Sequence, residues 1–301
     1  MSVRDSEQSR VNAKQATAMG PLAIVCGGGA FPAAVADAVR RRGREVILFA
    51  LRGFADAASI QQYPHQWIYL GAVGRVIRLM KQKGCRDVMF VGAVYRPRLR
   101  DIRLDWTTIR WMPAYIRVAR HGDDQLLSNI AMLFGNMGMR VRGIQEVAPE
   151  LLIPVGALGR HRPSAAEEAE IMLGRRALQA LGPLDVGQAA VVVGGRVVAV
   201  EAAEGTAAML ARVAEIKRSG RVIAAARAGV LVKAPKPGQD RRIDLPAIGV
   251  DTVKQAAAAG LAGIAVEAGG TIAADANALV RAADEAGLFL LGFEPDAETI
   301  R

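Results

Sequence analysis

The segment LAIVCGGGAFPAAVADAVRR, beginning at Leu22, limits the fold more than any other stretch of the chain. A short apolar run, Leu22 to Val25, leads into Gly27, Gly28 and Gly29. From Phe31 to Arg42 the apolar residues Phe31, Val35 and Val39 then recur at helical spacing. A buried strand stopped by glycines and followed by an amphipathic helix is half of a β-α-β unit. The pattern continues with strand-like segments at Glu45 to Leu51, Trp67 to Leu70 and Asp87 to Val91, and a helical segment from Gly74 to Lys83 between the last two. Alternation of this kind implies a parallel sheet with helices packed on it, so the first domain is expected to be α/β and Rossmann-like. At 301 residues the chain is long enough for two domains at about 150 residues each. The expected division is a polar, flexible extension over 1–19, a first domain over 20–149 and a second over 150–301.

The glycines pose a chemical question. A dinucleotide fingerprint requires G-x-G-x-x-G after the first strand and an acid about 20 residues further on for the ribose. Gly27 and Gly29 fit, but the third position is Pro32, and the second strand ends in Ala50, Leu51 and Arg52 with no acid. Hydride transfer is therefore weakened, with Arg52 as an NADP phosphate partner its remaining route. Gly27, Gly28 and Gly29 still let backbone amides approach a phosphate at a helix N-terminus, or they serve a tight strand-to-helix turn. Further on, HGDDQLL at His121 to Leu127 opens a helix with Leu126, Leu127, Ile130, Leu133 and Phe134 on one stripe. Asp123 or Asp124 caps that helix, or the pair faces a metal or a ribose; both readings stand.

In the second domain Ser164 to Leu181 reads as a helix, with Ser164 and Glu167 as a capping box. Ala189 to Val193 and Arg196 to Glu201 read as a hairpin joined at Gly194 and Gly195, followed by a helix from about Glu204 to Lys217. Gly229 to Val232 is a strand, Asp251 to Ala259 a helix, Gly260 to Val266 a strand, Asp275 to Ala286 a helix and Leu288 to Gly292 a last strand. Between the first of these strands and the helix at Asp251 lies KAPKPGQDRRIDLPAIG, Lys233 to Gly249, with two lysines, two arginines, two aspartates and three prolines. Loops at the carboxyl ends of strands are where ligands sit in α/β domains. Prolines lower the entropy cost of holding Lys233, Lys236, Asp240 and Asp244 in one arrangement. Lysines hold phosphate oxygens as point charges, and Asp240 or Asp244 can ligate Mg²⁺, which favours one or two carboxylates plus substrate phosphates. Glu201, Glu204 and Thr206, at a strand end and helix start, could complete a metal shell or bind sugar hydroxyls; Thr206 and Glu204 are equally suited to capping.

Composition narrows the partners. Hydrophobic residues make up 51% and charged residues 23%, with mean hydropathy +0.20, as in a folded globular chain. No run reaches the roughly 18 apolar residues of a membrane span, and the first residues lack a signal-peptide core, which places the chain in the cytosol. Cys26 and Cys85 are expected to be buried thiols. His65, His121 and His161 lack metal-ligand spacing. The net charge of +10 is concentrated in Arg40, Arg41, Arg42 and Arg44 and in Arg96, Arg98, Arg100, Arg103, Arg110, Arg117 and Arg120, the latter interleaved with Trp106, Trp111 and Tyr115. Such a mixture suits a nucleic acid, an anionic membrane or a solvated face, but no nucleic-acid-binding signature accompanies it.

GGGAFP at Gly27 to Pro32, GDD at Gly122 to Asp124, DVGQ at Asp185 to Gln188, VEAAEGTAAM at Val200 to Met209, the Lys233 to Gly249 loop and GLAGIAVEAGG at Gly260 to Gly270 together resemble the LpxI-type UDP-2,3-diacylglucosamine pyrophosphatases of lipid A biosynthesis. The resemblance runs from about Pro21 to the C-terminus. It implies a Mg²⁺-dependent hydrolase that yields 2,3-diacylglucosamine 1-phosphate and UMP, two domains with the lipid bound between them, and a homodimer. It places the essential aspartate of an R-x-D-L-P motif at Asp244; Asp240 remains a second metal candidate from the loop chemistry alone. On family-motif grounds Asp123, Asp124 and Gln188 are candidate substrate contacts, and they join Gly27, Gly28, Gly29, Glu204, Thr206, Lys233, Lys236 and Gln239 in the candidate substrate site. A diacylated substrate also gives the Arg and Trp residues from Trp106 to Arg120 a use at anionic headgroups. The polar extension before Pro21 and the arginine content depart from the family pattern.

Overall fold

The computed structural model describes residues 20–94, 102–110, 123–222, 225 and 227–295, without the side chains of 123–127. The expected extension over 1–19, and the arginines and aromatics from Arg96 to Arg100 and from Trp111 to Arg120, lie outside the described residues. The chain divides into two units: residues 1–149 with Arg242–Asp244, and residues 150–241 with 245–301.

In the first unit, β1 (Leu22–Cys26), β2 (Val46–Leu51), β3 (His65–Ile68), β4 (Asp87–Val91) and β5 (Arg140–Val141) form a parallel sheet in the order β3-β2-β1-β4-β5. Helices α1 (Phe31–Arg41), α2 (Ala57–Ile60), α3 (Val73–Gln82), α4 (Asp123–Asn136) and α5 (Ile144–Val147) connect them. Every residue of β1 is buried, which is why the segment reads as an unbroken apolar run rather than an alternating one. Fully burying one such Val or Leu is worth about 1.5–3 kcal/mol. The third strand begins two residues earlier than the apolar pattern predicts. Among the described residues it is an edge strand paired with β2 alone, so His65 and Gln66 remain partly exposed and their polarity is tolerated.

At the amino end of this sheet, the fully buried Asp87 carboxylate meets Arg44 at 2.5 Å, Arg140 at 2.7 Å and Arg142 at 3.1 Å. Burial pushes the Asp87 carboxyl up, but hydrogen bonds and charge from Arg44, then Arg142 and Arg140, bring it below the usual range. This cluster joins the entries of β2, β4 and β5. Cys26 and Cys85 are buried free thiols, pushed up by burial to about 12 and about 11, so neither is a nucleophile.

The second unit has a six-stranded mixed sheet in the order β6-β13-β11-β9-β7-β8: β6 (Gly156–Leu158), β13 (Phe289–Phe293), β11 (Gly263–Glu267), β9 (Val230–Lys233), β7 (Ala189–Val193) and β8 (Arg196–Val200). β13, β11 and β9 are parallel; β6 and β7 are antiparallel to their neighbours, and β8 is antiparallel to β7. Helices α6 (Ala165–Leu181), α7 (Gly205–Arg218), α8 (Val250–Ala258) and α9 (Ala276–Ala286) cover the sheet, and β10 (Ala247–Ile248) pairs with β12 (Ile272–Ala273). The Ser164–Glu167 capping box opens α6. The β7–β8 turn has φ of 59° at Gly194 and 72° at Gly195, the left-handed pair that a two-residue hairpin requires.

Candidate active site

The antiparallel pairing of β7 with both β8 and β9 brings the ends of β8 and β9 and the start of β7 to one end of the second sheet. Ala189 lies opposite Lys233, so Gln188 is placed just beyond the end of β9. Glu201 follows β8, its backbone N–H donating to Ala189 O at 2.8 Å. Lys233 ends β9 and is 6% exposed. Its Nζ donates to Thr206 Oγ1 at 3.0 Å and to Ala247 O at 3.3 Å. Thr206 in turn donates to Glu201 Oε1 at 2.6 Å, while Glu201 Oε2 accepts from the backbone N–H of Gln188 at 3.2 Å.

A second chain of contacts holds the loop after β9. Gln188 Nε2 donates to Gln239 Oε1 at 3.0 Å, and the same oxygen accepts from the Lys236 backbone N–H at 2.9 Å. Lys236 Nζ pairs with Asp185. Asp185 has φ of 54° and is, among the described residues, the one non-glycine residue in the left-handed region. Aspartate tolerates that conformation better than most residues. At the end of β11 the buried Glu267 lies 2.8 Å from Arg241, which compensates its charge. A Cβ on Gly270 would fall 2.6 Å from Glu267 Oε1, so glycine there leaves room for the carboxylate.

Capping explains neither Thr206 nor Glu204. Glu204 occupies the N-cap position of α7, yet that helix has no side-chain cap; Glu204 pairs with Arg212 at 3.0 Å instead. Glu201, with one oxygen on Thr206 and the other on Gln188, is engaged within the protein. Asp240 and Asp244 are both half-buried, with Asp244 on the segment that groups with the first unit. Asp123 is the first residue of α4, and the side chains of Asp123 and Asp124 lie outside the described residues.

The glycine turn of the first unit divides by role. The N–H groups of Gly27 and Gly28 donate to Val91 O and Ala93 O, both at 2.8 Å. A Cβ on Gly27 would lie 2.5 Å from Ala93 O. These two glycines therefore serve close backbone approach, and their amides are directed into the fold. Gly29 has φ of 91° and open space where a Cβ would stand, so within the turn it is the position left facing outward.

The donors fit Mg²⁺ in one specific mode. Asp240 and Asp244 offer hard oxygen ligands four residues apart on a single proline-stiffened loop. Among the described residues no group of three or more His, Cys, Asp or Glu could form a cage. Mg²⁺ is ordinarily held by one or two carboxylates together with water and substrate phosphates, and that mode needs no cage.

Asp185, Arg241 and Glu267 hold ion pairs around this loop that residue spacing does not point to. All three stand inside the motifs at Asp185–Gln188, Lys233–Gly249 and Gly260–Gly270, and position within a motif was the available signal.

The family model for the LpxI N-terminal domain matches residues 21–151, and that for the LpxI C-terminal domain matches residues 154–291. The chain belongs to the LpxI family. A relative, the UDP-2,3-diacylglucosamine pyrophosphatase LpxI of Caulobacter vibrioides (strain ATCC 19089 / CIP 103742 / CB 15), is 42% identical over 277 residues, covering 92% of this chain and 99% of the relative. Membership of the LpxI family is thus carried by both halves of the chain. Among solved structures, CobK precorrin-6A reductase superposes with a TM-score of 0.31 and 14% identity over 93% of this chain and 89% of that one. UDP-glucose 4-epimerase from Brucella ovis in complex with NAD gives a TM-score of 0.25 and 13% identity over 38% of this chain and 32% of that one. Likenesses this loose carry no argument about the site.

Proposed function

We propose that this LpxI-family chain is an enzyme that hydrolyses the pyrophosphate bond of UDP-2,3-diacylglucosamine, giving UMP and 2,3-diacylglucosamine 1-phosphate. The observation that carries the reading is the pair of lysines, Lys233 and Lys236, each held by named polar partners at one end of the second sheet. Family membership supplies the substrate. Hydrolysis adds water across one P–O bond: the water oxygen bonds to one phosphorus, the bridging oxygen leaves with the other phosphate, and the water's protons pass to solvent and product. The protein's task is to neutralise non-bridging oxygens and position the water. Lys233 and Lys236 neutralise the diphosphate, and Gln188 and Gln239 keep Lys236 in place.

Asp244, with Asp240 as a second donor, holds Mg²⁺ in this reading, and Asp244 orients the attacking water. When bound, Mg²⁺ supplies charge neutralisation at phosphoryl oxygens. Asp123, Asp124 and Gly29 are the contacts proposed for the first unit. The test is mass spectrometry of the products from UDP-2,3-diacylglucosamine with Mg²⁺, beside EDTA and beside Asp244→Ala. UMP and the lipid monophosphate from wild type alone support the reading; intact substrate with wild type under varied divalent ions and detergents overturns it.

A diacylated substrate also calls for access to a bilayer. No described helix is long and apolar enough to cross a membrane. In the first unit the segment 102–110, helical over 106–110, exposes Leu104 (47%), Trp106 (78%) and Ile109 (45%), flanked by the exposed Arg103 and Arg110. Asp105 fixes this segment by accepting from Thr108 N at 2.9 Å and from Arg75 N at 2.7 Å. Apolar side chains ringed by arginine suit an anionic bilayer surface, and we include peripheral membrane contact, as well as a homodimer, in the proposal. Failure of liposomes with anionic lipid to sediment the protein at low salt removes the membrane contact.

A further inference from the structure

We infer that Glu201 and Thr206 form a positioning relay that fixes the buried Lys233 ammonium. The inference rests on the reading above in one respect, that Lys233 faces the substrate diphosphate.

An ammonium that is 6% exposed must be compensated, because a buried charge without partners is costly. Two of its acceptors, Thr206 Oγ1 and Ala247 O, are neutral, and through Thr206 the ammonium reaches the Glu201 carboxylate one hydrogen bond further on. A threonine hydroxyl carries one proton, and here it is donated to Glu201 Oε1 at 2.6 Å, which leaves the oxygen lone pairs for the lysine. The order ammonium, hydroxyl, carboxylate therefore has a single direction, with the negative charge at its far end. Hydrogen bonds to ionised groups are the stronger kind, and both links of this chain have one ionised member.

The relay is anchored at each end. Glu201 Oε2 accepts from Gln188 N at 3.2 Å and the Glu201 backbone is tied to Ala189, so the carboxylate is fixed by the entry of β7 and the exit of β8. Thr206 lies in the first turn of α7, where a β-branched side chain has few rotamers. The lysine stem is the flexible member, with four carbons of rotatable chain to immobilise. Holding it in advance means that this freedom is already lost when the diphosphate arrives. Thr206 and Glu201 are thus positioning residues that act through Lys233.

The experiment is a double-mutant cycle on Thr206→Val and Lys233→Met, with Thr206→Ser and Glu201→Gln alongside. It is read as kcat and KM on UDP-2,3-diacylglucosamine, as calorimetric binding of inorganic pyrophosphate, and as melting temperature. Thr206→Val is expected to lower kcat by about tenfold to a hundredfold, the worth of one hydrogen bond to a charged group. KM should change less, Thr206→Ser should recover most of the loss, and Thr206→Val should cost nothing further in the Lys233→Met background. Equal losses in both backgrounds, or a serine variant as poor as the valine one, overturn the relay in favour of plain packing. Should Thr206→Val fail to fold, Glu201→Gln takes its place in the same cycle with the same two outcomes. If wild type leaves the UDP-lipid intact, the proposed activity fails and pyrophosphate binding judges the relay: weaker binding by the valine than by the serine variant supports it, and equal binding overturns it.

Discussion

Lys236 and Asp185 form an ion pair that ties the loop after β9 to the turn before β7, and Asp185 makes it from a left-handed backbone conformation. The two demands on Asp185 can be separated. Glycine adopts φ of 54° without strain but has no carboxylate, asparagine tolerates it with a neutral side chain, and alanine loses both. Left-handed backbone costs an L-residue with no polar side chain about 1–2 kcal/mol. Asp185→Gly and Asp185→Asn should therefore keep the melting temperature close to wild type and lose activity, whereas Asp185→Ala should lose both. Activity and melting temperature measured on the three variants check this; full activity in Asp185→Gly would dismiss the ion pair as a contributor.

This relationship also marks how far the sequence could be read. Local chemistry was legible: the Ser164–Glu167 box sits at a fixed spacing of three, and the β7–β8 turn needs two residues that accept positive φ, which Gly194 and Gly195 provide. Buried strands such as β1 and β7 were legible because continuous apolar runs bounded by glycine have few other solutions. Strands of two or three residues, β5, β6, β10 and β12, offer no period to detect. The Lys236–Asp185 and Gln188–Gln239 contacts join residues 51 apart in the chain, so only the register of β7 on β9 creates them. Asp244 was preferred to Asp240 by the family motif, since spacing alone treats the two alike.

Removing the Asp87 carboxylate should be among the most damaging single changes in the first unit. Asp87→Ala leaves Arg44, 9% exposed, without its partner, and breaking a buried pair costs about 3–5 kcal/mol. The native carboxyl is held below its ordinary value, so the unfolded chain binds the proton more readily. That stability is complete above the unfolded value of about 3.9 and is lost as pH falls through the lower folded value. Urea unfolding at pH 7 and at descending acid pH checks both points. Asp87→Asn should show a lower midpoint at pH 7 and a shallower loss of stability toward acid than wild type.

Chelation distinguishes the metal from the fold. If Mg²⁺ is held by one or two carboxylates with substrate phosphates, the protein without substrate binds it weakly, and EDTA should abolish turnover while leaving the melting temperature nearly unchanged. Excess Mg²⁺ should restore wild type fully. Asp244→Asn should stay at least about a hundredfold below wild type at any Mg²⁺ concentration, given that metal charge stabilisation is worth several kcal/mol. A large fall in melting temperature with EDTA would point to a structural ion instead.

Glu170 carries an opposite pH dependence to Asp87. It is buried on α6, its Oε1 accepts from Gly195 N at 3.3 Å, and its Oε2 has no hydrogen-bond partner among the described residues. Burial raises its carboxyl above the ordinary value, against the lowering effect of the Gly195 and Gly194 amides and of Lys217. The native state therefore holds the proton more tightly than the unfolded chain does. The stabilising contribution is present below the unfolded value, about 4.3, and disappears as pH rises through the raised folded value. Glu170→Gln keeps an acceptor for Gly195 and has no charge to bury, so its melting temperature should exceed wild type at pH 7 and converge with it near pH 4. Thermal melts at the two pH values decide the matter, and a glutamine variant less stable at both would mean that the ionised carboxylate is what the hairpin turn requires.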